Sequence, residues 1–255
     1  MHQPIPLTNL HANSIEGVIQ SLDRLIEWSN AHSMRAGYFA ALYRKVTINV
    51  KQGIAEGRFD NGARMERLDV IFANRYLDAF EQYYAGQPVS NCWRLAFEMT
   101  EHWSPLVIQH LMLGMNAHIN LDLGIAAAQT VSMDELPTLK PDFDRINDVL
   151  SALIDDVEKK LAEIWPALKW IDALAGRLDE KLADGGMVFA RDKAWAFALS
   201  YAAAADKSSS IRCMDARLYI LGQALAHVSF LKWFIYLPIR LGERGNVRKK
   251  IHILA

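Results

Sequence analysis

Along most of this chain apolar residues recur at spacings of three and four, which turns one face of a helix toward a core. Ile15, Val18, Ile19, Leu22, Leu25 and Ile26 predict a helix running to about residue 31, with Ser14 as its N-cap. Tyr38, Phe39, Leu42, Tyr43 and Val46 predict a second over about 34–56, stopped by Gly57. A turn at Asp60 and Asn61 leads into a third, with Leu68, Ile71, Phe72, Tyr76 and Ala79 inward and Gly86 and Pro88 at its end. Ser90 opens a short helix carrying Trp93 and Phe97. Ser104 followed by Pro105 is a cap residue with proline at the first helical position, and no proline interrupts the chain from there to about residue 129. Pro137 and Pro141 flank an expected loop, and Asp142 is the expected cap of a helix to Trp165. Further helices are expected over 167–183, ending at Asp184-Gly185-Gly186, over 188–205, and over 211–237, stopped by Pro238.

No stretch outside 114–124 alternates polar and apolar residues as a half-buried strand would, and the loops are short. The pattern predicts an all-α, single-domain, multi-helix bundle of about nine helices around a buried central helix. That domain spans 1–255, with a weak internal boundary at 136–141.

The exception is GMNAHINLDLG, in which Asn116, His118, Asn120 and Asp122 alternate with Ala117, Ile119, Leu121 and Leu123. A strand competes for these residues, but a lone strand in a helical chain has no ladder partner, and the stretch continues a capped helix without a breaker. On a helix, residues two apart point about 200° apart, so the four polar side chains divide between two sides. Asn116 and Asn120 share one side with Gln109; His118 and Asp122 share nearly the opposite one. Leu111, Met112, Leu113, Met115, Ile119, Leu121 and Ile125 fill the other directions, which predicts a helix buried all round.

Polar groups buried there must find partners. In the plainer reading, Asn116 and Asn120 tie the helix to its neighbours while His118 pairs with Asp122, with no chemistry involved. In the functional reading, His118 and Asp122, one turn apart, serve as two ligands of one metal, or as a general-base histidine and the carboxylate that orients it. Partners for the pair are sought in His110, in His227 among apolar neighbours, and in Asp69 or Asp78. Arg64, Arg67 and Arg75 give Asp69 an ordinary explanation as an ion-pair partner. Asp122 itself needs His118, a metal or an arginine such as Arg75, because a buried carboxylate without a partner costs several kcal/mol.

Composition narrows the classes. The chain has 255 residues, of which 51% are hydrophobic, and a formal net charge of -1, so no overall field favours nucleic acid or an anionic membrane. Arg240, Arg244, Arg248, Lys249 and Lys250 form a basic tail, read as a solvated face with phosphate or lipid contact as the alternative. Cys92 and Cys213 form no C-x-x-C, which fits a reducing compartment, and the first residues lack the pattern of a secretory signal. Together these predict a cytoplasmic location. Residues 219–239 are apolar enough to raise a membrane span, but Gln223, His227, Ser229 and Lys232 argue for a helix packed in the bundle or supplying a homodimer face. Phosphate-loop, nucleophile-elbow and H-E-x-x-H motifs do not occur.

GMNAHINLDL, with MERLDVIFANRYLDAF upstream and Trp93 and Phe97 between, resembles a bacterial all-helical family of unknown function with a G-M-N-A-H-I-N-x-D-L signature. The likeness covers about residues 38–148. Asn116, His118, Asn120, Asp122, Asp69 and Tyr76 match its pattern, whereas His110 falls where the pattern does not require histidine. It implies a helical fold and no settled activity. More distantly, H-x-x-x-D on a buried helix is similar to part of the ligand set of zinc-dependent phospholipases C, whose remaining ligands are not visible here. Two functions stay open. One is a metal-assisted hydrolase of a small or lipid-like substrate, using His118 and Asp122 on a divalent metal such as zinc, with Asp69 and His227 contributing and Asn116 and Asn120 orienting. The other is a non-catalytic binding or scaffold protein whose buried polar residues are structural.

Overall fold

A computed structural model describes residues 7–166, 178–227 and 233–255. Among them are eleven α-helices and no strand: α1 (Ile15–His32), α2 (Gly37–Ala55), α3 (Gly62–Tyr84), α4 (Asn91–Glu101), α5 (Val107–Ala117), α6 (Leu123–Thr130), α7 (Leu136–Ile164), α8 (Leu178–Ala203), α9 (Lys207–Ala226), α10 (Trp233–Gly242) and α11 (Val247–Leu254). One turn of π-helix, His118–Asp122, joins α5 to α6. The all-α expectation holds, with more helices than the nine expected.

The early boundaries follow the sequence signals. Ser14 Oγ accepts from the Gly17 N–H at 3.1 Å and caps α1. Gly57 and Gly86 close α2 and α3 in the left-handed region, at φ 69° and 71°. Later boundaries depart from the local pattern. α5 starts at Val107 rather than behind Ser104, because the Gln109 side chain accepts from the Leu106 N–H at 2.9 Å and Glu243 accepts from the Val107 N–H at 2.8 Å. Pro137 lies in the first turn of α7 and Pro141 within it, so the expected 136–141 loop is helix. A proline this early in a helix displaces few intrahelical N–H bonds. α8 runs through Gly185 and Gly186 without stopping. Of the helix expected over 167–183, residues 167–177 lie outside the described residues. The long helix expected over 211–237 ends at Ala226, and Pro238 sits inside α10; residues 228–232 lie outside the described residues. Among the described residues no helix is long and apolar enough to cross a membrane.

Asp142 does not cap its own helix. Its fully buried carboxylate accepts from the Asp60 and Asn61 N–H groups at 2.7 and 3.1 Å, ahead of α3, and from Arg64 and Arg145 at 2.8 Å each. Asp215 on α9 does the same for α4, accepting from the Asn91 and Cys92 N–H groups at 2.8 and 2.9 Å. Carboxylates brought from distant helices thus satisfy N-terminal N–H groups that no neighbouring residue reaches.

The α5–π–α6 rod packs against α2, α4 and α9 at its first end and against α3, α7 and α8 at its second. Leu111, Leu113, Ala117, Leu121 and Ile125 are buried along it. It is not buried all round: Ile108 and Met112 are more than a third exposed. Two glycines set its closest approaches. A Cβ on Gly114 would lie 2.5 Å from the Phe39 ring, and one on Gly124 would lie 2.7 Å from the Ala194 carbonyl oxygen. The second obstacle is backbone and cannot turn aside. Gly124→Ala should therefore lower stability by about 1–3 kcal/mol, although alanine is the better helix former; a urea melt reads it, and a stabilised variant would contradict this packing.

Candidate functional site

The four polar residues of the motif divide as the helical geometry requires. On one side, Asn116 donates through Nδ2 to the Leu218 carbonyl of α9 at 3.0 Å, and Asn120 donates through Nδ2 to Asn116 Oδ1 at 3.1 Å. Gln109 extends the row, donating to the Leu225 carbonyl at 2.7 Å. Side-chain amides stitch the rod to α9.

On the other side Asp122, 1% exposed, gathers three donors. Arg75 Nε of α3 lies 2.7 Å from Oδ1, Trp93 Nε1 of α4 lies 2.8 Å from Oδ2, and His118 Nδ1 lies 3.3 Å from Oδ2. Burial works to raise this carboxyl, but the Arg75 guanidinium, then the His118 and Trp93 donors, hold it below its ordinary range. Backbone geometry changes at the same residues: the Leu123 N–H bonds to the His118 carbonyl, the five-residue step of a π-turn.

His118 sits in an aromatic cage. Its ring stacks on Phe72 at 3.6 Å between centroids, and Tyr43 meets it edge-on at 4.5 Å. Phe39, Tyr76 and Trp93 each stand 5.9 Å away. Burial lowers its pKa, more than the Asp122 hydrogen bond raises it, so the ring is neutral near pH 7. A carboxylate only accepts, so Nδ1 carries the proton and Nε2 keeps a lone pair. Among the described residues that Nε2 has no hydrogen-bond partner, and neither does the hydroxyl of Tyr76.

The other expected contributors fare differently. Asp69 is 6% exposed, and among the described residues Oδ2 has no partner. None of the expected arginines serves it: Arg64 bonds Asp142, Arg67 bonds the Thr130 carbonyl, and Arg75 bonds Asp122. Burial, with the charge of Glu66, pushes its carboxyl up to about 7. Asp69 bears electrostatically on Tyr43, which touches His118, but makes no bond to the pair. His227 does not lie inside the apolar helix expected for it. α9 ends one residue before it, so it is an exposed C-cap whose Nδ1 lies 3.2 Å from the Gln223 carbonyl. His110 is buried apart from the pair, edge-on to Tyr38, and burial pushes its pKa down to about 3. Asp78 pairs at the surface with His11 at 2.9 Å. Among the described residues no three His, Cys, Asp or Glu side chains converge to hold a metal ion. Burial also pushes the Cys92 thiol up, away from thiolate.

Trp93 is the partner the sequence did not single out. It was legible only as core, although a buried indole N–H needs an acceptor and so points to a buried carboxylate.

Two cavities bear on access. A small one of about 20 Å³, room for one water, is lined by Tyr76, Trp93, His110 and Gly114. A larger cleft of about 540 Å³ opens between α8 and α9, with Phe189 and Phe197 on one wall, Met214, Leu218 and Leu221 on the other, and Asn120 at its floor. His118 and Asp122 line neither.

An all-helical protein with a buried His–Asp pair braced by a half-buried arginine, and with an apolar cleft, is the class these features define. The chain belongs to a family of unknown function (DUF5995), whose model matches residues 15–228. No curated protein and no solved structure matches it.

Two outcomes test the electrostatics. Arg75→Met leaves Asp122 a buried charge without its cation and should cost about 3–5 kcal/mol; adding Asp122→Leu should recover part of that loss, the remainder being the Trp93 and His118 donors left without their acceptor. A double variant as unstable as the single one would refute the pairing. For Asp69, the folded pKa of about 7 stands above the ordinary 3.8. Between those values the unfolded chain releases a proton that the folded chain keeps, so stability falls as pH rises and levels off above about 7. Asp69→Asn should therefore be more stable than wild type by a few kcal/mol at pH 8 and little different near pH 4; denaturant melts at both pH values check it.

Proposed function

We propose that the chain is a non-catalytic binding protein for a small apolar or amphipathic molecule held in the α8–α9 cleft, and that the His118–Asp122–Arg75 network is structural. One observation carries this. The large cleft falls within the roughly 300–1,000 Å³ of ligand pockets, has apolar walls and reaches one polar residue of the motif, Asn120, while the titratable pair is sealed. Asn116, itself anchored on the Leu218 carbonyl, accepts from the amide of Asn120, so the floor is preorganised.

A metal-assisted hydrolase has less support. The oxygens of Asp122 already serve Arg75, Trp93 and His118, and among the described residues no third ligand joins the pair. The Nε2 of His118, unpartnered among the described residues, favours chemistry, but His118 lines neither cavity.

N-phenyl-1-naphthylamine, a neutral apolar probe whose fluorescence rises on binding, tests the proposal. One saturable site is expected. Ala196→Trp, which places an indole into the cleft from an exposed position, should weaken binding at least about tenfold, whereas His118→Leu should change it less than about twofold. Unchanged binding in Ala196→Trp would overturn the cleft. An esterase activity that His118→Leu abolishes, in a variant that still folds, would favour the hydrolase.

A further inference from the structure

The cleft has a shape and a charge that narrow its ligand. Its α8 wall runs from Phe189 to Ser200, roughly 16 Å along the helix. A short connection, 204–206, joins α8 to α9, so Ser200 and Met214 lie toward the joined end and Phe189 and Leu221 toward the far end. Such a strip suits a linear chain better than a compact ring system. At the far end Phe189 and Leu221 are 63% and 47% exposed, large apolar surface that a ligand would cover.

Charge enters through Lys193. It lines the cleft one turn from Phe189, with its ammonium 5.0 Å from that ring's centroid. Among the described residues it takes part in no ion pair with a carboxylate; the acid next to it in sequence, Asp192, bears on Arg191 instead. Among the described residues the cleft therefore presents apolar walls and one cation, Lys193, toward its open end.

Resting on the binding function proposed above, we infer that the ligand is a single-chain anionic amphiphile of the fatty-acid class, its carboxylate on Lys193 and its chain between Phe197 and Leu218. Isothermal titration of the full chain with sodium decanoate and with 1-decanol, both below aggregation, separates headgroup from chain. Wild type should bind both at one site, decanoate more tightly. Lys193→Met should weaken decanoate about fivefold, the scale of an exposed ion pair, and leave decanol unchanged. Added salt should narrow the gap in wild type only. Ala196→Trp should abolish both. Equal binding of the two ligands, unmoved by Lys193→Met, would overturn the headgroup assignment and leave the cleft standing. Failure of both to bind, or binding that survives Ala196→Trp, would overturn the cleft and this inference with it.

Discussion

Burying the carboxylate of Asp122 is the constraint around which this molecule is arranged. Removed from water, that charge costs several kcal/mol unless cations and hydrogen-bond donors replace its hydration. They come from three places: Arg75 on α3, Trp93 on α4 and His118 four residues earlier on the rod itself. Arg75 keeps about a quarter of its side chain in solvent, so only one charge is fully desolvated. Meeting these demands fixes where α3 and α4 stand relative to the π-turn. The opposite side of the same turn then carries Asn116 and Asn120 against α9, and Gly114 and Gly124 let α2 and α8 close in.

The same principle recurs at the helix starts. Asp142, Asp215 and Glu243 each reach across the fold to N–H groups at the head of a helix remote in sequence. Glu243 also gathers Arg240 and the buried Lys250 at 3.2 and 2.7 Å, and Ile251 and Leu254 are buried beside it in sequence. Part of the basic tail is thereby folded back into the bundle. Such caps tie distant segments together, because losing one strands both a buried carboxylate and a helix terminus.

This explains what could be read from the chain and what could not. Local signals located α1 through α3, because Ser14, Gly57 and Gly86 act through their own neighbours. The two-sided division of the motif followed from helical geometry alone, and the need of Asp122 for a partner such as Arg75 followed from electrostatics. Asp142 was misjudged because an acid before an apolar run reads as a local cap, whereas its partners lie some eighty residues away. Pro141, Gly185 and Gly186 were read as breakers, and long helices override propensities of that size when packing is sufficient. His227 was expected inside an apolar helix, but that helix ends at Ala226. The α8–α9 cleft could not be read at all, since it depends on how two helices diverge rather than on the composition of either.

In the function proposed here, a buried network positions and a separate cleft binds, so that the motif is divided between structure and function along the line that separates its two sides. A crystal structure of the full chain grown with decanoate tests that division most directly. Ligand density between α8 and α9, against Phe197 and Leu218 with Asn120 beneath it and the His118–Asp122–Arg75 contacts unaltered, is the predicted result. Density at His118, or a metal ion bound by His118 and Asp122, would contradict it.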